Sequence, residues 1–158
     1  MKIQTIIKIA VIAVLEMLIW VIVSACPSQD VAEQVLHDEL SSKISSGAGE
    51  NRVLQAIVDN AQIEVNHISW GVRAVNVTCT VSNYDISAAF ETIVDNEGEM
   101  SFAEFEQQFL NCLSEQSRLE YQEIVALKRA GNAYSVSYTN SQLDHLTGGL
   151  FTYMGIGE

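Results

Sequence analysis

Proline occurs once in 158 residues, at Pro27. That scarcity excludes a proline-rich stalk or a polyproline spacer. Cysteine is nearly as rare: Cys26, Cys79 and Cys112 are too few for a disulfide-stapled scaffold. Lys and Arg number 8 against 20 Asp and Glu, and a chain of net charge −12 has no basic footprint for nucleic acid. The same charge repels anionic lipid. The three histidines, His37, His67 and His145, lack Cys, Asp or Glu partners at metal-ligand spacing. His37-Asp38-Glu39 comes nearest, and the polar face of a helix is enough to explain it. Low-complexity runs and internal repeats are also missing.

Long apolar runs are absent too, with one exception. Ile9 to Ala25 is interrupted only by Glu16, follows Lys2 and Lys8, and leads into Val23-Ser24-Ala25-Cys26. A segment this apolar is stable only in a bilayer or a translocation channel. Its closing tetrapeptide resembles a bacterial lipoprotein signal, which implies cleavage before Cys26 and a diacylglyceryl group on the Cys26 sulfur. A retained anchor is the alternative. Seventeen residues at ~1.5 Å each reach roughly 26 Å, short of a ~30 Å hydrocarbon core. Ile3 to Ile7, with Lys8 snorkelling, make up the difference. Glu16 would then need a partner, because a lone carboxylate there costs about 2–3 kcal/mol. A plainly secreted chain is the third reading, and Pro27 fits ordinary signal cleavage poorly.

All three readings put the following domain outside the cytoplasmic membrane, since the lysines precede the segment and Asp30 and Glu33 follow it. Residues 1–26 are thus expected to be a signal or transmembrane anchor, and 27–158 an extracytoplasmic domain. Six Lys and Arg against 19 Asp and Glu give that domain a net charge of −13. Its length suits one domain with a real core.

Periodicity gives the order of elements. Asp30 with Glu33 reads as a capping box, followed by Ala32, Val35, Leu36, Leu40 and Ile44 at helical spacing. Ser45-Ser46-Gly47-Ala48-Gly49 stops that helix. A shorter helix carries Val53, Leu54, Ile57 and Val58 and ends near Asn60. From Gln62 the period becomes two, with a turn at Gly71. Val75, Val77, Cys79 and Val81 then share one face, opposite Asn76, Thr78, Thr80 and Ser82. Asp85 can cap a third helix bearing Ile86, Ala89, Phe90 and Ile93. Ser101 with Glu104 caps a fourth, whose buried stripe is expected to be Phe102, Phe105, Phe109, Cys112 and Leu113. Strands Leu119–Arg129 and Ala133–Thr139 join at Ala130-Gly131-Asn132. A last short helix begins at Asn140 or Ser141, carries Leu143 and Leu146, and stops at Gly148-Gly149. An antiparallel sheet of about four strands packed on helices accommodates this order, so the fold class is α+β.

Three stretches carry a resemblance: Val75–Val81 running into Tyr84-Asp85, the Leu119–Tyr138 hairpin, and Gln142–Leu150 with its closing Leu-Thr-Gly-Gly-Leu. Together they resemble the cystatin-like cone of the NTF2-like superfamily, in particular the small exported NTF2-like lipoproteins and membrane proteins of Gram-positive bacteria. Where that family usually has tryptophan in the last strand, this chain has Tyr134 nearby. The resemblance implies no shared catalytic residues. It places a recognition surface on the cone's concave face, with Trp70 and the aromatics near the last hairpin.

Asp95-Asn96-Glu97-Gly98-Glu99 running on to Glu104 looks like the tail of an EF-hand calcium loop, with Asp95, Glu97 and Glu104 as ligands. The first ligand position holds Ile93, and no second loop pairs with it. An acidic turn before a helix capped by Ser101 and Glu104 explains the same residues. Cys79 and Cys112 sit on apolar faces expected to pack together, so an exported domain could join them in a disulfide. Two separate core thiols are the alternative. Tyr84-Asp85, Tyr121 and Tyr134 could furnish a tyrosine–carboxylate site inside a cone, but a strand-end tyrosine and a capping aspartate account for the first pair. Asn76-Val77-Thr78 matches a glycosylation sequon and is more simply a polar strand face.

The expected function is a membrane-tethered binding or assembly module without catalytic activity, metal or cofactor. Its partners would be the membrane, through the N-terminal lipid or helix, and an envelope protein or peptide. The alternatives are a bitopic subunit of a secretion or conjugation machine, and an enzyme with a site in the cone.

Overall fold

The computed structural model describes residues 12–17, 26–45, 51–70, 74–94, 100–131 and 133–155. Helix α1 spans Gln29–Ser45 and α2 Arg52–Asn60. Strands β1, Gln62–Trp70, and β2, Val75–Tyr84, lead into α3, Ile86–Val94, and α4, Phe102–Leu113. Strands β3, Arg118–Ala130, and β4, Ala133–Val136, are followed by α5, Asn140–Leu146, and α6, Leu150–Tyr153. The strands form one antiparallel sheet in the order β1-β2-β3-β4, so the expected α+β class holds. Most of Ile3 to Ala25 lies outside the described residues. Residues 12–17 are helical and exposed, and among the described residues no helix is long and apolar enough to cross a membrane.

Helix starts follow the capping chemistry, with two shifts. Asp85 accepts a hydrogen bond from the Ala88 N–H at 3.0 Å, and Ser101 and Glu104 form a reciprocal capping box. At α1 the cap is Ser28, whose hydroxyl accepts from Val31 N–H, rather than Asp30. Glu33 is drawn elsewhere: its carboxylate accepts the Val65 N–H at 2.8 Å, while Gln29 donates to the Val65 carbonyl at 3.2 Å. The β1–β2 register slips between Val65 and His67, and this bulge gives the Val65 peptide its helix-borne partners. At α5 the cap is Thr139, paired with Gln142. Strand β4 therefore ends at Val136 instead of reaching Thr139.

Register sorts the sheet into two faces. Val75, Val77, Cys79, Val81 and Asn83 on β2 stand beside Leu127, Val125, Glu123, Tyr121 and Leu119 on β3. This face is covered by α1 and α5, whose Ala32, Leu36, Leu40, Leu143 and Leu146 are buried against it. The reverse face shows Thr78, Thr80, Gln122 and an exposed Ile124.

A second apolar cluster lies off the sheet. It joins Val53 and Ile57 of α2 to Ile86, Ala89 and Ile93 of α3, Phe109 and Leu113 of α4, and Leu150 of α6.

Two buried contacts lock the clusters together. Asn83, with no exposed surface, donates to the Ile57 carbonyl at 2.9 Å and the Leu146 carbonyl at 2.7 Å, and accepts from the Tyr84 N–H. Helix α5 stops before Gly148-Gly149 as expected, and the chain turns there through two positive φ angles into a further short helix, α6, that was not expected. Gly148 packs so closely that a Cβ would lie 1.9 Å from the Tyr84 carbonyl oxygen. Its own carbonyl accepts the Ile86 N–H at 2.9 Å. Only glycine meets both demands.

Candidate functional site

The sheet face expected to form a recognition surface is covered by α1 and α5. Tyr138 is buried and its hydroxyl donates to the Leu36 carbonyl, while Tyr134 packs half-buried against the first cluster. Between α1, α5 and the strands, Leu36, Cys79, Glu123, Tyr138 and Leu146 leave no space for a water molecule. Burial raises the Tyr138 hydroxyl well above the usual phenol range. Of the residues assigned to that face, Trp70 alone is largely free, at 52% exposure.

The cysteines do not meet. Cys79 lies in the sheet cluster and Cys112 packs against the second cluster, and both are free thiols, as is half-buried Cys26. The expectation that α4 covers the β2 face is what fails. Helices α1 and α5 cover it, and α4 turns its stripe to α2 and α3. Burial, reinforced by the neighbouring Glu123 carboxylate, pushes the Cys79 thiol up to about 11. Burial also raises Cys112.

Of the calcium-loop candidates, Asp95 and Glu97 lie outside the described residues. Glu104 is committed to its cap: one carboxylate oxygen accepts both the N–H and the hydroxyl of Ser101, at 2.8 and 2.7 Å. Among the described residues no group of three or more His, Cys, Asp or Glu is placed to hold a metal ion. His37 lines a shallow 550 Å³ groove with Asp30 and Glu33, and His67 is exposed on β1. Arg118 lies 4.7 Å over the Tyr84 ring, which fixes that strand-end tyrosine in place.

One polar cluster was not foreseen. His145 on α5 donates from Nδ1 to the Glu123 carboxylate, and its ring stacks on Tyr121 with centroids 3.8 Å apart and planes 6° apart. Both side chains of the pair are mostly covered, at 27% and 14% exposure for His145 and Glu123. The signal for it lay in the strand pattern: Glu123 occupies an inward position in the alternation Leu119, Tyr121, Glu123, Val125, Leu127. The pair joins α5 to the sheet.

The largest departure from expectation is on α4. Phe109 and Leu113 are buried, Phe105 and Cys112 are half-buried, and Phe102 is 63% exposed. The rings form a ladder across three helices. Tyr153 of α6 stacks on Phe90 of α3 at 5.0 Å, Phe90 on Phe105 of α4 at 5.6 Å, and Phe105 on Phe102 at 6.5 Å. Beneath it Phe109 touches Phe90 at 5.1 Å. Both ends are open, with Phe102 63% and Tyr153 42% exposed. Such surface is held in a fixed geometry by the stacking below it. Phe90 and Phe105, between the two exposed ends, are half-buried. A 440 Å³ hollow lined by Lys43, Leu54, Phe151 and Met154 lies on the other side of α6.

No family model matches this chain, and neither a curated protein nor a solved structure matches it.

Proposed function

We propose that this chain is a non-catalytic assembly module, tethered outside the cytoplasmic membrane by its N-terminal segment, that packs a protein partner on the aromatic ladder of α3, α4 and α6. The observation that carries this reading is the exposure of Phe102 and Tyr153 at the ends of a rigid stack. A sheet face covered by α1 and α5 favours surface docking over a pocket for a small substrate. The antiparallel four-stranded meander with α1 laid across its inner face supports an NTF2-like cone. The apolar run before Cys26 and the lysine asymmetry around it support the tether.

The test places p-benzoylphenylalanine at position 102, or at Gln122 on the open sheet face, in the full chain in its native host. Irradiation is expected to give a protein adduct from position 102 and none from 122. No adduct from 102, or equal adducts from both, sinks the reading. Mass spectrometry of the membrane-extracted chain decides the tether: an acylated N-terminal Cys26 eliminates the retained helix.

A further inference from the structure

We infer that the partner surface on the aromatic ladder is a basic segment with apolar anchors, an inference that rests on the assembly reading above. The ladder stands on the most one-sided stretch of the chain. From Asp85 to Ser117 there are eight Asp and Glu and no Lys or Arg. Of these, Glu91 and Glu104 are exposed on the same two helices that carry Phe90, Phe102 and Phe105. Arg52 of α2 reaches α4 by an ion pair, bonding Glu106 at 3.0 Å. The ladder thus offers stacked rings within a negative field.

That combination selects among occupants. A second copy docking symmetrically would bring the same acidic helices face to face, which opposes closure. An anionic membrane surface is repelled for the same reason. A segment carrying Lys or Arg around Phe, Leu or Ile satisfies both parts. Its apolar side chains continue the stack while its cations sit among the carboxylates and steer the encounter. Arginine planes can also lie on exposed rings such as Phe102 and Tyr153.

The experiment uses the full chain in phosphatidylcholine nanodiscs and a labelled 12-residue peptide that alternates Lys pairs with single Phe or Leu. Binding is expected, weakening about tenfold or more with Phe102→Ser combined with Tyr153→Ser. It should weaken with added salt and be lost when Glu replaces Lys in the peptide. Ile124→Ser, an exposed apolar site on the far sheet face, should leave it unchanged. Circular dichroism and thermal melting check that the ladder variant is folded, and Tyr153→Ser alone serves if it is not. Equal binding of the Glu peptide, no loss in the ladder variants, or no binding above empty nanodiscs overturns the inference.

The adduct from position 102 separates this idea from the reading beneath it. A captured segment of net positive charge supports both. A neutral or acidic protein segment overturns the inference and leaves the assembly reading standing. Capture of lipid alone, or no adduct, removes both.

Discussion

His145 lies flat against Tyr121 while its Nδ1 donates to Glu123, so one imidazole holds α5 to strand β3 by a ring contact and a hydrogen bond at once. Removing the carboxylate with Glu123→Ala leaves a mostly covered imidazole N–H without its acceptor. Urea denaturation should show a loss of about 1–3 kcal/mol. His145→Phe keeps the stack but leaves the Glu123 carboxylate, the more covered of the two groups, without its donor, and should cost at least as much. A loss below about 0.5 kcal/mol in both variants would show that the hydrogen bond contributes nothing beyond packing.

Asn83 should be among the least replaceable residues away from the surface. Asn83→Leu strands the Ile57 and Leu146 carbonyls and the Tyr84 N–H at a position with no exposed surface. A loss of about 3 kcal/mol is expected from those groups. Asn83→Asp should be at least as damaging, because a carboxylate cannot donate to two carbonyls. Chemical denaturation of both variants tests this, and a loss below about 1 kcal/mol in either would refute the account.

These cases show where sequence reading succeeds and where it stops. Strand β2 was legible because Val75, Val77, Cys79 and Val81 alternate without a break. Caps at Asp85 and Ser101 were legible because their partners lie three residues away. Asn83 continues the same inward alternation, yet its partners are 26 and 63 residues distant. Helix α6 was hidden because a Gly-Gly pair reads as a stop unless the Tyr84 backbone pressed against Gly148 is known. Phe102 was assigned to the core because periodicity reports which residues share a helix face, not how much of that face a neighbour covers. The ladder depended on Tyr153, which lies beyond the expected end of the last element.

The capping box on α4 carries a pH dependence. Hydrogen bonds from the Ser101 hydroxyl, and then from its backbone N–H, hold the Glu104 carboxyl below the ordinary carboxylate range. A carboxyl lowered in the folded state adds stability above its unfolded value, and that stability is lost as pH falls through the folded value. An NMR titration of the Glu104 side chain should therefore show a midpoint below that of an isolated glutamate. Ser101→Ala should move the midpoint up toward it; no movement would disconnect the shift from the cap.

The thiols should differ sharply in reactivity. Cys79 is fully covered and its thiol is held near 11, so almost no thiolate exists at pH 8. Iodoacetamide on the native chain should leave Cys79 unmodified while Cys112, half-buried, reacts slowly. Both should react promptly in denaturant. Rapid native labelling of Cys79 would mean that α1 and α5 open readily, and a Cys79–Cys112 crosslink found by mass spectrometry would contradict the two-cluster packing.

The bulge in β1 has a mechanical side. Helix α1 begins three residues after Cys26, and its first turns grip the Val65 peptide twice, through Gln29 and Glu33. A pull applied at Cys26 is therefore delivered to the middle of the outermost strand, not to its end. Strand β1 pairs with β2 on both sides of that bulge, so the gripped peptide is flanked by ladder residues in each direction. Glu33→Ala, which removes one of the two grips, should lower the force at which the domain yields to a pull on its N-terminus in single-molecule stretching.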